Sequence, residues 1–430
     1  MITGTSNAEI SARARIASRL LPFLFLLYIT NYLDRANLAY AALGMSRDLG
    51  LSDSVFGTAA GIFFIGYLSL QIPGAILVER WSARLWLAGT LITWGALTTL
   101  TGWVHSAGQL YVARFVLGMA EAGFFPGVIV YLGHWFVYED RARAVARFMS
   151  AIPVSFIIGS PLAGKLLGVH WLGLPGWRWL FLMEGIPAVA LGIVTAVWLP
   201  DRPGNARWLS PAERECIAAR LRAEKEAKSS VKHYGVLDAL THPPVLLLSA
   251  SLLFSYTAGY AFVFWFPTML KRASGWTDLR VGLVGTIPYL AGFVGMQIFA
   301  WSSDRMRERR WHFAVTQVIA IAGLCLLLGA PGSLALAVTG FTFIGMGIEC
   351  SYPCFWSLPG ALLTDASAAA AVGFINSFAS IGGYIGPKVL GTLSQHTAGF
   401  AAGYWFMLAS YAIAALVVLL VPGRQGAISS

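Results

Sequence analysis

Five ionisable residues are predicted to lie furthest from the ends of long apolar segments, where charged groups are costly and usually functional. They are Asp34, Arg35, Arg114, Glu121 and Glu349. Arginine is planar, permanently charged and able to bind a carboxylate through two parallel hydrogen bonds. Two arginines in one water-poor cavity would select an anion, and a carboxylate beside them could exchange protons. These residue types therefore predict an anion-binding site next to a proton-binding site.

Helix geometry places the two arginines at similar depth. If one span ends near residue 43 and another begins near residue 107, Arg35 and Arg114 lie about 12 Å and about 10 Å below the same boundary. Glu121 follows Arg114 by seven residues, or two turns, and therefore shares its helix face. We predict that both arginines bind substrate and that Glu121, with Asp34, couples transport to protons. An alternative is that Arg35–Asp34 and Arg114–Glu121 pairs only hold helices together.

Glu349 stands apart from these four residues in the sequence. Three interpretations remain open: a second proton site, an acceptor for a substrate hydroxyl, or the partner of a cation elsewhere in the chain. Lys388 is close to the end of its apolar segment and is a weak candidate for that cation.

The composition indicates which elements must position these groups. Of the 430 residues, 57% are hydrophobic and only 12% are charged, whereas soluble proteins carry about 25% charged residues. Much of the surface must therefore face lipid, and runs of about 20 apolar residues are long enough to cross a bilayer as helices. The predicted spans are 20–43, 54–78, 85–104, 107–134, 144–168, 177–199, 243–270, 279–302, 312–330, 334–358, 367–393 and 400–421.

The longest polar stretch separates the sixth predicted span from the seventh. Ser210, Pro211 and Glu213 have the pattern of a helix N-cap, first turn and capping-box acid, which predicts a helix from about 211 to 228. We therefore predict an all-α membrane protein with a bundle at 1–199, a cytoplasmic linker with an amphipathic helix at 200–242, and a bundle at 243–430.

The distribution of basic residues predicts the orientation. With the N-terminus inside, the inner segments hold 21 Lys and Arg residues and the outer loops hold five. Basic residues concentrate on the cytoplasmic side, so both termini are predicted in the cytoplasm and the protein in the cell (inner) membrane. The net charge of +10 is then a consequence of topology, and no nucleic-acid partner is expected.

A short charged motif occurs twice, at an offset of 225 residues, after the second and eighth spans. The two copies consist of Glu79, Arg80 and Arg84, and of Asp304, Arg305 and Arg309. A parallel repeat of two six-helix halves is one known transporter architecture. We predict that these residues, with Arg141 and Arg143, form a cytoplasmic gate.

Longer strings resemble a known family. They are NYLDRANLAYA (31–41), RFVLGMAEAGFFPG (114–127), GWRWLFLMEGIPA (176–188) and LPDRPGNARWLSPAERE (199–215). Together they resemble the anion:cation symporter family of the major facilitator superfamily, whose members include tartrate, sugar-acid and aromatic-acid permeases. The repeated motif is similar to the superfamily's loop signature, with Glu79 and Ser82 in place of its usual Asp and Gly.

The resemblance implies roles for particular residues. An acid–Arg pair on the first span and an Arg–Glu pair on the fourth serve substrate binding and proton coupling in that family, and Asp34, Arg35, Arg114 and Glu121 match them in type. Further positions that resemble the family's cavity are Tyr32, Tyr67, Asn376 and Trp356. Packing is an equally plausible role for each of these four.

The expected function is proton-coupled uptake of a small organic anion, such as a hydroxy or sugar acid, by alternating access. The proton is the coupling ion, no other cofactor is expected, and the superfamily usually works as a monomer. No nucleophile–base pair or metal-ligand pattern suggests an enzyme. Alternatives are an aromatic-acid symporter, an organic-anion exchanger and a ligand sensor without net transport. The aromatic-acid alternative depends on Phe124, Phe125, Tyr256, Tyr260, Phe262, Trp265 and Phe266.

Overall fold

The computed structural model describes residues 7–80, 82–229, 242–359, 365–397 and 399–422, and within these ranges the regular structure is helical. The α-helices are α1 Asn7–Asp48, α2 Asp53–Arg80, α3 Ala83–Thr101, α4 Ala107–Glu121, α5 Phe124–Trp135, α6 Tyr138–Met149, α7 Ala151–Leu166, α8 Gly176–Trp198, α9 Pro211–Ser229, α10 Pro243–Ser274, α11 Asp278–Val284, α12 Thr286–Met306, α13 Arg310–Gly329, α14 Leu334–Trp356, α15 Asp365–Thr397 and α16 Ala401–Leu419.

Lipid-facing surface follows from the composition. Among the described residues, ten helical stretches are long and apolar enough to cross a membrane. Large apolar side chains point outward from them, including Val112, Val197 and Leu416. The predicted spans 85–104 and 367–393 coincide with α3 and α15, which are helical but less apolar. The count of twelve spans therefore stays a prediction.

Three predicted spans are each built from two helices. The fourth is interrupted between Glu121 and Phe124, the fifth near Ser150, and the eighth near Gly285. At the first interruption the Trp86 indole lies against Gly123 and donates a hydrogen bond of 2.9 Å to its carbonyl oxygen. The same carbonyl oxygen also accepts from the Gly127 amide at 3.0 Å, so the indole adds a second hydrogen bond at this interruption. The break places Glu121 at the end of α4, inside the bundle.

Glycines allow α2 to approach two other helices closely. A Cβ atom at Gly66 or Gly118 would collide with the backbone of Phe115 or Phe63, respectively, so α2 and α4 pack backbone to backbone. A Cβ atom at Gly57 would likewise collide with the carbonyl group of Pro387 on α15. These contacts fix α2 between the arginine-bearing helix α4 and the second half of the chain.

One end of the molecule is closed by contacts between residues before and after the linker. Arg272 forms two hydrogen bonds to the Asp53 carboxylate, at 2.6 and 2.8 Å, and Ser394 donates a third at 2.7 Å. At the same end, Gly282 on α11 packs against the backbone of Ser160 on α7. In the predicted topology this closed end is extracellular.

The linker helix α9 coincides with the helix predicted at 211–228. The Ser210 amide donates to the Glu213 carboxylate at 2.8 Å, and the Glu213 amide donates to the Ser210 hydroxyl at 3.2 Å. The Ser210 amide, followed by the Ser11 hydroxyl, holds the pKa of Glu213 below its ordinary value. Ser11 also ties α9 to α1 through a 2.7 Å hydrogen bond. Residues 230–241 of the predicted linker lie outside the described ranges.

Candidate functional site

An ion pair joins α1 to the interruption between α4 and α5. Nε of Arg35 lies 3.0 Å from Oε2 of Glu121, and Nδ2 of Asn31 donates to the same oxygen at 3.0 Å. The Glu121 carboxylate is fully buried, and among the described residues its second oxygen, Oε1, has no hydrogen-bond partner. Arg35 therefore pairs with Glu121, and not with the adjacent Asp34.

Aromatic rings surround the Arg35 guanidinium group. Its carbon Cζ lies 5.1 Å from the ring centre of Tyr32, 5.3 Å from Tyr67 and 5.6 Å from Phe63. Such cation–π contacts orient a guanidinium group without neutralising its charge. The side chain keeps 15% of its surface exposed. Arg35 is thus held in place but still accessible to an anion.

Arg114 occupies a different environment. It is 1% exposed, and its Cζ lies 4.8 Å from the ring centre of Phe63. Its charged neighbours are Asp34, Glu121 and Arg35, whereas its Nε and Nη2 atoms have no hydrogen-bond partner within the described part of the chain. The two arginines therefore contact one phenyl ring, with Arg114 more deeply buried than Arg35.

Asp34 is 2% exposed and accepts a 2.7 Å hydrogen bond from Nδ2 of Asn37, one helical turn later. Thr98 on α3 lies beside its carboxylate, and its charged neighbours are Glu121 and Arg114, both on α4. Asp34 thus contributes to a buried polar cluster with Arg114.

A cavity lies between residues from before and after the linker. Its walls come from α1, α2 and α7 on one side and from α10 and α14 on the other. The lining residues are Tyr32, Arg35, Phe63, Phe64, Phe156, Tyr260, Val263, Phe264, Ile348, Glu349 and Tyr352. This wall combines one guanidinium group, one carboxyl group, three phenol hydroxyls and several apolar rings, and in this conformation the cavity of about 20 Å³ has room for about one water molecule.

Glu349 shares this cavity with Arg35. It is 2% exposed, and its Oε2 atom has no hydrogen-bond partner in the described ranges. Gly292 on α12 packs against its side-chain carbons. Lys388 donates a 2.8 Å hydrogen bond to the hydroxyl of Tyr384, so the structure shows no pairing of Lys388 with Glu349.

Of the other predicted substrate-binding residues, some lie at the cavity and others do not. Tyr32 lines the cavity, and Tyr67 lies beside Arg35 and stacks on Phe63 with ring centres 6.0 Å apart. Asn376 and Trp356 are half-buried, and neither belongs to the cavity wall described above. Their roles stay predictions.

In the second copy of the repeated motif, Asp304 and Arg309 form an ion pair of 2.6 Å, and Arg305 lies 5.6 Å from the ring centre of Trp301. The side chains of Glu79 and Arg80, predicted in the first copy, lie outside what the structure describes.

The remaining predicted gate residues surround the linker. The backbone amide of Arg84 donates to the Asp201 carboxylate at 3.1 Å. Arg141 donates to the carbonyl of Phe136 at 3.0 Å and lies 3.5 Å from the carboxylate of Glu224 on α9. Arg143 is exposed on α6. Arg84 and Arg141 thus contact linker residues in this conformation.

Several site residues were missed by the sequence analysis. Asn31, Asn37, Thr98, Tyr352 and Glu184 contact the cluster or line the cavity. A signal existed for two of them, because Asn31 and Asn37 stand three residues before and after Asp34 and therefore near its helix face. The other three are brought in from distant helices.

The seven aromatic residues on which the aromatic-acid alternative depends lie in different places. Tyr260 lines the cavity, and Tyr256 lines an adjoining one with Tyr260 and Tyr352. Trp265 packs on Phe56 and donates to the Pro387 carbonyl at 3.0 Å. The other members of the set, Phe124, Phe125, Phe262 and Phe266, pack against rings within the protein.

An all-helical apolar fold with a charged internal cavity is typical of membrane transporters. The family model described as "Major Facilitator Superfamily" matches residues 24–387, and the chain belongs to this superfamily. It is therefore a multi-pass membrane transporter.

Relatives and solved structures agree with this assignment. The chain is 39% identical over 418 residues to a protein of Agrobacterium vitis named "Putative tartrate transporter", covering 97% of this chain and 96% of the relative. It is 35% identical to a quinolone resistance transporter of Acinetobacter baumannii, covering 91% and 90% of the two chains. A crystal structure of a bacterial homologue of the human lysosomal transporter Spinster, inward-facing and occupied, shares the fold with a TM-score of 0.76 at 19% identity, covering 94% and 96%.

Proposed function

We propose that this protein is a proton-coupled symporter that takes up a small organic carboxylate by alternating access. One observation carries the proposal: the guanidinium group of Arg35 lines the cavity, while its Nε is held 3.0 Å from the buried Glu121 carboxylate. Glu121 and an incoming substrate carboxylate therefore compete for the same cation.

This competition provides the coupling. When Glu121 takes up a proton, it loses its charge and its ion pair with Arg35, and the guanidinium group can then bind the substrate. When the proton leaves, Glu121 again pairs with Arg35 and displaces the substrate. Hydrogen bonds to charged groups contribute about 1.5–3 kcal/mol, so one proton can change substrate affinity roughly tenfold to hundredfold. The linkage is reciprocal, because substrate binding then favours protonation equally.

The cavity and the relatives' names support a carboxylate substrate. Tartrate and quinolones, which two of the relatives are named for, share a carboxylate group. The hydroxyls of Tyr32, Tyr260 and Tyr352 suit a hydroxylated acid, which is our first candidate. An aromatic acid is the second candidate, favoured by the rings of Phe63 and Phe156 in the same wall.

In this proposal the regions 1–199 and 243–430 rock against each other, and the linker, both termini and the repeated charged motifs face the cytoplasm. The protein acts as a monomer in the inner membrane. Closure of the end that carries Asp53 and Arg272 then corresponds to an inward-facing state.

The decisive experiment is uptake into proteoliposomes with an imposed inward proton gradient. Labelled tartrate, aldonates, hexuronates, phthalate and hydroxyphenylacetate are compared, with and without a protonophore. We expect one acid to accumulate above equilibrium and the protonophore to abolish the accumulation. Binding of an acid without uptake would favour a sensor, and uptake that requires internal substrate but no gradient would favour an exchanger; either result contradicts symport.

The variant Glu121→Gln tests the coupling residue. Glutamine is uncharged like the protonated acid, so we expect gradient-driven accumulation to disappear while exchange of labelled for unlabelled substrate persists. The control is Glu215→Gln on the exposed face of α9, which should behave like the unmodified protein. Full accumulation in Glu121→Gln would show that protons are coupled elsewhere.

A further inference from the structure

Glu184 is a buried acid that the proposed mechanism does not use. It lies on α8, eight residues after the helix begins at Gly176, or about 12 Å along the axis. It is 5% exposed, and its Oε2 atom has no hydrogen-bond partner among the residues described here. An orphaned oxygen on a buried carboxyl group requires an explanation.

The balance of charge in the interior explains why this oxygen has no partner. Among the described residues of the predicted spans, the buried carboxyl groups are those of Asp34, Glu121, Glu184 and Glu349, and the guanidinium groups enclosed with them are those of Arg35 and Arg114. Glu121 pairs with Arg35, and the charged neighbours of Asp34 are Glu121 and Arg114. No cation remains for Glu184. An unpaired buried carboxylate costs several kcal/mol, so such a group is more stable with a proton bound.

Among the described residues, the helices that pack most closely on α8 bring no cation to Glu184. These helices are α1, α3 and α7. On α3 the one ionisable residue is Arg84, at the opposite end, and on α7 it is Lys165, exposed in the last turn. On α1 the charged neighbour of Glu184 is Asp34, a like charge. Arg178 on α8 itself is bound to the carbonyl of Gly102.

Hydrogen bonds lead to the same result. Nδ2 of Asn37 donates to Asp34, and Oε2 of Glu184 accepts from no donor in the described residues. A carboxylate with neither a cation nor a donor at this oxygen is costly in a water-poor interior, whereas a bound proton removes its charge.

We propose that Glu184 is a second proton-binding site and that its proton is bound in this conformation. The protonation itself is independent of the proposed symport, whereas a role in coupling rests on it.

Infrared spectroscopy of the purified protein in lipid nanodiscs tests the protonation without any substrate. Protonated carboxylic acids give a carbonyl stretching band that carboxylates and amides lack. We expect a band at neutral pH that is absent from Glu184→Gln and retained in Glu184→Asp. Glu349→Gln is the matched control, because it removes another cation-free buried acid and should leave the Glu184 band intact.

Stability against pH is a second readout. Raising the pH should remove the Glu184 proton and lower the Tm of the unmodified protein more than that of Glu184→Gln, which cannot ionise. A Glu184→Gln spectrum identical to that of the unmodified protein, or an identical decline of Tm with pH, would overturn the proposal. Neither measurement depends on transport, so a failed uptake assay and a failed protonation test are distinguishable.

Discussion

At the scale of single residues, Arg35 and Arg114 are not equivalent. Both contact Phe63, but Arg35 is partly exposed and lines the cavity, whereas Arg114 is buried beside Asp34. This difference suits a role for Arg35 in binding substrate and a role for Arg114 in balancing the charge of Asp34.

Sequence patterns identified the charged residue types of this cluster, because ionisable residues are rare in apolar runs. They did not identify the pairing. Arg35 and Asn31 reach Glu121 across 86 and 90 residues of sequence, respectively. Glu184 was overlooked although it lies in an apolar run as Glu349 does, and its burial is known only from the fold. Contacts between helices, and not residue type, decide which charges are paired.

Substitution of Arg35 tests its role in substrate binding. Lysine keeps the charge but loses the planar fork that binds a carboxylate with two hydrogen bonds. We expect Arg35→Lys to weaken substrate binding roughly tenfold to hundredfold, equivalent to about 1.4–2.8 kcal/mol. Titration calorimetry of the purified protein measures this effect.

The matched control is Arg47→Lys, because Arg47 has a highly exposed side chain at the end of α1. It should bind substrate with unchanged affinity. Unmodified affinity in Arg35→Lys would place the carboxylate elsewhere in the cavity.

At the scale of elements, apolar runs predicted where helices cross the bilayer, because each span needs a minimum apolar length. The runs did not predict the interruption after Glu121. That break coincides with a contact to Trp86, a residue from another helix, which no local pattern reveals. The close approach of α2 and α4 likewise depends on glycines whose neighbours are known only from the fold.

The packing of α2 on α4 leads to a stability prediction. A methyl group at Gly118 would collide with the backbone of Phe63, so Gly118→Ala should push the helices apart and disturb the Phe63 ring between the arginines. Overpacking of this kind costs about 1–3 kcal/mol. We expect a lower Tm and weaker substrate binding.

Gly108→Ala on the same helix is the control. Nothing lies within 4 Å of its Cβ position, and alanine favours helix over glycine by about 0.5–1 kcal/mol. Its Tm should be equal to or above that of the unmodified protein. An equal Tm for Gly118→Ala and Gly108→Ala would show that α2 and α4 are not packed backbone to backbone.

At the scale of the whole molecule, closure depends on a few interlocking contacts at one end. The Gly57–Pro387 contact joins α2 to α15, and the Asp53–Arg272 ion pair joins α2 to α10. Alternating access requires that these contacts separate while the bundles stay intact. A residue too large for the Gly57 position should therefore hold this end open and shift the population of states.

We expect Gly57→Trp to favour an outward-open state, to retain substrate binding and to abolish net uptake. The measurement is labelling from outside the cell by a membrane-impermeant thiol reagent. Val263→Cys in the cavity wall provides the reporter, in a background with serine at Cys216, Cys325, Cys350 and Cys354. Labelling of Val263→Cys should be slow alone and faster when Gly57→Trp is added.

The control for this experiment is Gly89→Trp, because nothing lies within 4 Å of the Cβ position of Gly89. A tryptophan there should leave both labelling and uptake unchanged. If Gly57→Trp also leaves them unchanged, the Gly57–Pro387 contact does not hold the molecule closed. Faster labelling from the cytoplasmic side alone would instead reverse the proposed orientation, because the closed end would then face the cell interior.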